Sequence, residues 1–264
     1  LLTKKIHPEL AHLSDEDVAK LHKGKRTQAK ISRFAMSFGG GAYTLHINQN
    51  IPMKDAINIE NAFKELHEGM YIWGEDNFNR AVKTGYIESA DGWKLALPRY
   101  DKYNSLQEMV KSITKEQWQQ YKIGKLESKS LQEATEKKET YTILNKKEYE
   151  FYKSKRFDVS SFFRLQGEYK RLSLNNPIQS SAAHMTKYAT LLIFDWIMGN
   201  NYQNIIKIVN IVHDEAVIEC PEELKDIAVK AVETCMIKAG NHYLEDLEIK
   251  AEAHYGPDWY SAKG

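Results

Sequence analysis

Two neighbouring carboxylates and a histidine, His213-Asp214-Glu215, interrupt an otherwise apolar stretch, "NIIKIVNIVHDEAVIEC" at residues 204–220. Carboxylates are poor strand residues, and burying them unpaired costs free energy. If the apolar runs on either side pair as an antiparallel hairpin, the triplet falls at the tip, where water reaches it. A strand end holds a carboxylate rigidly, and hard divalent cations such as Mg²⁺ select carboxylate oxygens. A plain polar turn carries the same three residues, and it is the favoured reading of the triplet taken alone.

A second group recurs every four residues in "KRTQAKISRFAMSF", 25–38: Arg26, Lys30, Phe34 and Phe38. On an α-helix these positions form one slowly drifting face. A core stripe would not place Arg and Lys in its line. Two cations followed by two rings suit a ligand with phosphates at one end and a flat ring at the other. A surface helix with snorkelling cations explains the pattern about as well. A third group, Arg171, Asn175 and Gln179 in "KRLSLNNPIQSSAAHMTK" (170–187), repeats the same interval. Its donors suit acceptors on a nucleic-acid backbone or minor groove. Pro177 argues against a perfectly regular helix between them, and a polar cap before the next helix is the favoured reading of these residues taken alone.

The elements that must position these groups can be read along the chain. Ser14 and Asp17 have capping-box spacing and open a short helix over 14–23, closed by Gly24. The helix 25–38 stops at Gly39-Gly40-Gly41. From Pro52 to about Lys83 the pattern is helical, with a break near Gly69. "GYIESADGWKLALPRY", 85–100, holds an Asp91-Gly92 turn and predicts a hairpin. Residues 101–160 are rich in Lys, Glu and Gln and read as a helical, surface-exposed insertion whose charges form a solvated face. An apolar helix spans about Ser180 to Met198, Pro221 starts another that ends at Gly240, and "LEIKAEAH", 247–254, alternates as a last strand.

Net charge is +1 over 264 residues, so composition gives no overall nucleic-acid signal and any basic surface must be local. Cys220 and Cys235 have no metal-ligand spacing and read as reduced packing residues, which suits the cytoplasm. No apolar run approaches the ~18 residues of a membrane span, and no signal-peptide pattern is present. The chain opens Leu1-Leu2 and its first methionine is Met36, as expected of a piece of something longer.

Taken together and in this order, the groups resemble family A DNA polymerases, the group of bacterial DNA polymerase I and related phage replicative enzymes. "RTQAKISRFAMSFGG" looks like the fingers-helix motif Arg-x3-Lys-x3-aromatic-x3-Tyr-Gly. "RLSLNNPIQSSAA" looks like the Arg-x3-Asn-x-Pro-x-Gln segment, and "VHDE" between strands looks like a palm motif. "GYIESADGWKLALP" resembles the hairpin after the fingers, and "AGNHYLEDLEIKAEAHYGPDW" the C-terminal ending of phage-type members. The likeness covers nearly the whole chain except 101–160.

The resemblance implies an α+β fold: a small antiparallel palm sheet on helices, with a helical fingers subdomain. Residues 1–84 would be fingers helices, 85–100 the hairpin, 101–160 the insertion, and 161–264 the palm, its sheet carrying 204–220 and 245–254. It implies template-directed DNA synthesis from dNTPs on a primer–template. Asp214 would ligate two Mg²⁺ ions, with Glu215 in support and His213 near the primer terminus. Arg26 and Lys30 would bind the triphosphate, Phe34 would pack on the sugar and Phe38 near the base pair. Arg171, Asn175 and Gln179 would contact the duplex. Phe38 stands where the family usually has tyrosine, which predicts altered fidelity or sugar selection. The family's first palm motif, an Asp-x-Ser-x-x-Glu segment on a strand, has no match before Arg26. The second metal-binding carboxylate is therefore expected from a missing N-terminal part, in cis or as a separate chain, without which the chain is expected to be inactive. A non-catalytic DNA-binding module derived from the family is the alternative.

Overall fold

The capping pattern at Ser14 holds in the computed structural model, which describes residues 2–244 and 246–263. After a short α1 (Leu2–Ile6), Ser14 Oγ accepts from the Asp17 N–H at 3.0 Å and starts α2 (Asp15–Leu21). Gly24 does not close this helix. The chain leaves helical geometry at His22 (φ −123°, ψ 42°), and Gly24 sits in the first turn of α3 (Lys23–Ser37). There the missing side chain costs little, because end turns are the least ordered part of a helix. α3 stops where expected, at Gly39 with φ +79°, a conformation open to glycine at no steric cost. α4 (Ala42–Gln49) is an addition to the expected elements; its N-cap, Gly41, has no side chain to announce it. α5 (Met53–Leu66) and α6 (Glu68–Thr84) follow, broken at His67.

The described residues form two compact units, 2–87 with 96–174 and 88–95 with 175–263. In the first, α3 buries Ala29 and Met36 among Leu45, Ile59 and Phe63 of α4 and α5. The spacing i, i+7 puts these buried residues on one face of α3 and leaves the other to solvent. The hairpin β1 (Tyr86–Glu88) and β2 (Lys94–Ala96) turns through Gly92 at φ +80°, as its Asp-Gly pair predicts.

Residues 101–160 are helical: α7 (Tyr100–Lys111), α8 (Lys115–Glu136) and the start of α9 (Lys146–Gly199). They are more than a solvated charged face. Tyr103 and Leu106 are buried with Phe78, Phe162, Leu165 and Tyr169, and Ile113, Tyr121 and Val159 form a smaller cluster. α8 and α9 cross so closely that a Cβ on Gly124 would stand 2.1 Å from the Glu148 carbonyl oxygen.

α9 corrects a sequence expectation. It runs 54 residues and stays helical through Pro177. Proline has no N–H for the carbonyl four residues back, which here belongs to Ser173. That carbonyl instead accepts Asn77 Nδ2 at 3.4 Å. A side chain from α6 thus takes up the acceptor that proline leaves open.

In the second unit, β3 (Lys207–Val212) pairs antiparallel with β4 (Glu215–Glu219), with a bulge between Ile208 and Asn210. Ile208, Ala216 and Ile218 face Ile193, Ile197 and Val232, the last on α10 (Lys225–Tyr243). The buried Ile193, Ile197 and Val232 side chains contribute roughly 1.5–3 kcal/mol each. Cys220 and Cys235 are free thiols within this core, where burial pushes both pKa values up.

The expected last strand is a second correction. Among the described residues, 246–254 pair with neither strand, and Glu245 lies outside them. The alternation itself is correct: Ile249, Ala251 and Ala253 are partly buried while Lys250, Glu252 and His254 are exposed. The segment is held by α10, not by a ladder. Ala253 N–H donates to Glu233 Oε1 at 2.9 Å, and Ile249 occupies the space a side chain at Gly240 would need. Helices with two small antiparallel sheets make the fold α+β. No helix among the described residues is long and apolar enough to cross a membrane.

Candidate functional site

Val212 and Glu215 are cross-strand partners, so the turn between them consists of His213 and Asp214 alone. Two-residue hairpin turns need a positive φ to match strand twist. His213 supplies it at φ 53°, a conformation that costs a non-glycine residue of order 1 kcal/mol and is found often at functional sites. The tip therefore presents His213 and Asp214 to solvent, with Glu215 half-buried as the first residue of β4.

The two carboxylates differ in their surroundings. Glu215 Oε1 accepts Trp259 Nε1–H at 2.5 Å, and Oε2 lies 3.0 Å from Lys263 Nζ. The Lys263 ammonium, then the indole N–H, hold the Glu215 carboxyl below the usual carboxylate range. Asp214 makes no hydrogen bond or ion pair among the described residues. It is free to take a cation. Trp259 closes the C-terminal segment quoted above, but its pairing with Glu215, and that of Lys263, escaped the sequence reading because both lie more than forty residues from Glu215.

On α3 the structure brings the second group together as its spacing predicts. Arg26, Lys30, Phe34 and Phe38 are all exposed, opposite the buried Ala29, Ser32 and Met36. The Phe34 and Phe38 rings stand 4.7 Å apart, centroid to centroid. Neither Arg26 nor Lys30 has an ion-pair partner among the described residues. Thr27, Lys30, Ile31, Arg33, Phe34 and Ser37 line an open groove along this helix. Arg33, one turn beyond Lys30, is a further cation that the four-residue interval skipped. The arrangement can hold an anionic group beside an aromatic surface.

Of the third group, Arg171 belongs to the first unit, and Asn175 and Gln179 belong to the second. All three lie on α9 at one-turn spacing. Arg171 runs its aliphatic stem past the end of α3: a Cβ on Gly39 would stand 3.0 Å from Arg171 Cγ. Arg171 is exposed overall, as is Gln179. No group of three or more His, Cys, Asp or Glu side chains suited to a metal ion occurs among the described residues.

Comparison with known proteins identifies the relatives. The family model described as DNA polymerase family A matches residues 107–261, which takes in most of the charged segment as well as α9 and the hairpin. DNA polymerase I of Geobacillus stearothermophilus is 31% identical over 97% of this chain and 22% of its own length. DNA polymerase I of Bacillus subtilis (strain 168) is 31% identical over 98% of this chain and likewise 22% of its own. The chain thus spans under a quarter of these relatives. Among solved structures, the POL domain of Pol1 from M. smegmatis, in complex with DNA primer-template and dNTP, superposes with a TM-score of 0.61 at 18% identity. That match covers 100% of this chain and 34% of the other, and shows a shared fold. With the family model matching more than half of its residues, the chain belongs to DNA polymerase family A.

Proposed function

We propose that this chain is the fingers-and-palm part of a DNA-directed DNA polymerase. The observation that carries the reading is Asp214: an exposed carboxylate with no partner among the described residues, at the tip of a two-residue hairpin. Arg26 and Lys30 bind the triphosphate of an incoming dNTP through charge-assisted hydrogen bonds, Phe34 packs against its sugar, and Phe38 lies near the base pair. Arg171, Asn175 and Gln179 contact the primer–template duplex, and His213 lies near the primer terminus. Asp214 is the ligand this chain offers to Mg²⁺, and its hard oxygens fit that ion. Bound Mg²⁺ would activate the attacking 3′-hydroxyl and stabilise charge on the leaving oxygen. A complete site needs a further carboxylate, supplied by another segment or chain.

Primer extension tests this. The chain is assayed alone and with the N-terminal part of a family A polymerase supplied, in parallel with Asp214→Asn. The expected result is Mg²⁺-dependent extension in the supplemented reaction, reduced roughly a thousandfold or more by Asp214→Asn. Primer–template binding should persist in the variant and weaken steeply with salt. Salt-dependent binding with no extension under either condition would instead select the non-catalytic DNA-binding module.

A further inference from the structure

The contacts around Glu215 come from one small, well-fastened piece of chain. Trp259 and Lys263 belong to the turn around α11 (Trp259–Ala262), whose N-cap Asp258 accepts the Ser261 N–H at 2.7 Å. Lys263 Nζ also lies 5.2 Å from the Trp259 ring centroid, a cation–π distance, so the two donors brace one another. Gly256 lets the chain turn back on itself there: a Cβ on it would stand 2.8 Å from Ala262 N. The turn therefore presents an N–H and an ammonium as a pair, one to each oxygen of Glu215.

We propose that the turn Asp258–Lys263 is a positioning clamp on Glu215, holding its carboxylate by both oxygens so that Asp214 is the tip's cation ligand. The inference rests on the polymerase reading above and concerns residues that this reading does not use. A second carboxylate beside a metal ligand competes for the ion. If Glu215 were free to turn, a cation at the tip would be shared between two positions. Its placement against a reacting phosphate would then vary on the scale of an ångström, which is enough to cost rate. Engaging each oxygen with a donor fixes the rotamer and satisfies part of the charge. Trp259 and Lys263 act through Glu215 and are positioning residues.

The test uses the polymerase assembled with this chain. Trp259→Phe keeps a ring but removes the N–H, Lys263→Met removes the charge, and Lys263→Arg restores it. Trp259→Phe and Lys263→Met should each lower kcat for primer extension about three- to tenfold, less than the full loss of a charge-assisted hydrogen bond because both act through Glu215. The Mg²⁺ concentration for half-maximal rate should shift by a similar factor. The dNTP KM and the melting midpoint should stay at wild-type values, and Lys263→Arg should behave as wild type. In a Glu215→Ala background neither substitution should have a further effect. Unchanged kcat and Mg²⁺ dependence, or effects that add to Glu215→Ala, would overturn the clamp. A readout independent of catalysis is the ¹⁵N-indole resonance of Trp259, assigned by its loss in Trp259→Phe. It should move in Glu215→Ala, and a resonance that stays put removes the clamp whether or not primer is extended. A resonance that moves in an assembly that never extends primer would sink the polymerase reading, and the clamp's role in catalysis with it.

Discussion

Tyr169 shows how far one side chain can depend on its setting. It is fully buried, packs against Tyr103 with ring centroids 4.9 Å apart and tilted by 50°, and donates its hydroxyl to the Pro98 carbonyl at 2.6 Å. Burial, then the charge of Glu168, pushes its pKa up to about 12 from the ordinary value of 10.0. A folded pKa above the unfolded one means that the neutral form is favoured by folding. The associated stability is fully present below pH 10 and is lost as pH rises toward 12, on the order of 2–3 kcal/mol in all. Urea titrations between pH 9 and 12 should show this loss in the wild type and a shallower one in Tyr169→Phe. At neutral pH Tyr169→Phe should cost about 1–2 kcal/mol, because the Pro98 carbonyl loses its donor. None of this was legible in sequence, where Tyr169 is one tyrosine among 15. The residues of the candidate site were legible for the opposite reason. Arg26, Lys30, Phe34 and Phe38 are placed on one face by helical spacing alone, and His213 and Asp214 by the strands on either side of them.

Elements were legible where their determinants are local and misread where the determinant is distant. The Ser14 cap, the Gly39 stop and the Gly92 turn each depend on a few consecutive residues, and each is found where expected. Helicity through Pro177 is accompanied by a contact from Asn77, whose amide meets the Ser173 carbonyl across 96 residues of chain. This predicts a coupling. Asn77→Ala should destabilise the wild type by about 0.5–1.5 kcal/mol. In a Pro177→Ala background residue 177 regains an N–H for that carbonyl, and Asn77→Ala should then cost appreciably less. Equal effects of Asn77→Ala in both backgrounds, by chemical denaturation, would show that the side chain does not replace the missing bond. α8 gives a second prediction at this scale. Gly124→Ala places a methyl against the Glu148 backbone, where no rotamer change relieves it. The substitution should lower stability by roughly 2 kcal/mol or more, read as a fall in melting midpoint.

The whole molecule has surface left over. β3 and β4 pair only with each other among the described residues, so their outer edges are open. Val209 is 53% exposed and Ile211 42%, giving β3 an apolar side toward solvent. Open edges with apolar side chains pair with other chains. The 264-residue chain by itself is therefore expected to self-associate, and Val209→Lys to shift it toward monomer, as read by light scattering after size exclusion. A monodisperse wild-type monomer at tens of micromolar would refute this expectation. The same open sheet is compatible with a further palm strand carrying the second carboxylate, which is how the proposed polymerase would be completed.

Local patterning sets the geometry that carries the chemistry. A period of four on α3 sets cations and rings on one face, and two β-branched runs flank a turn too short to hide Asp214. It also determined which side of 249–254 faces inward, because alternation reports burial. Whether that segment joins a sheet rests on its neighbours in space, since a ladder needs an adjacent strand and α10 offers side chains instead. Tertiary structure likewise decided that α9 passes Pro177 unbroken, and that Glu215 is held by Trp259 and Lys263 while Asp214 is left free. In each of these cases the partner lies tens of residues away. Periodicity and spacing encode which way a side chain points from its own backbone, and they carry no information about what chain folding will bring to meet it.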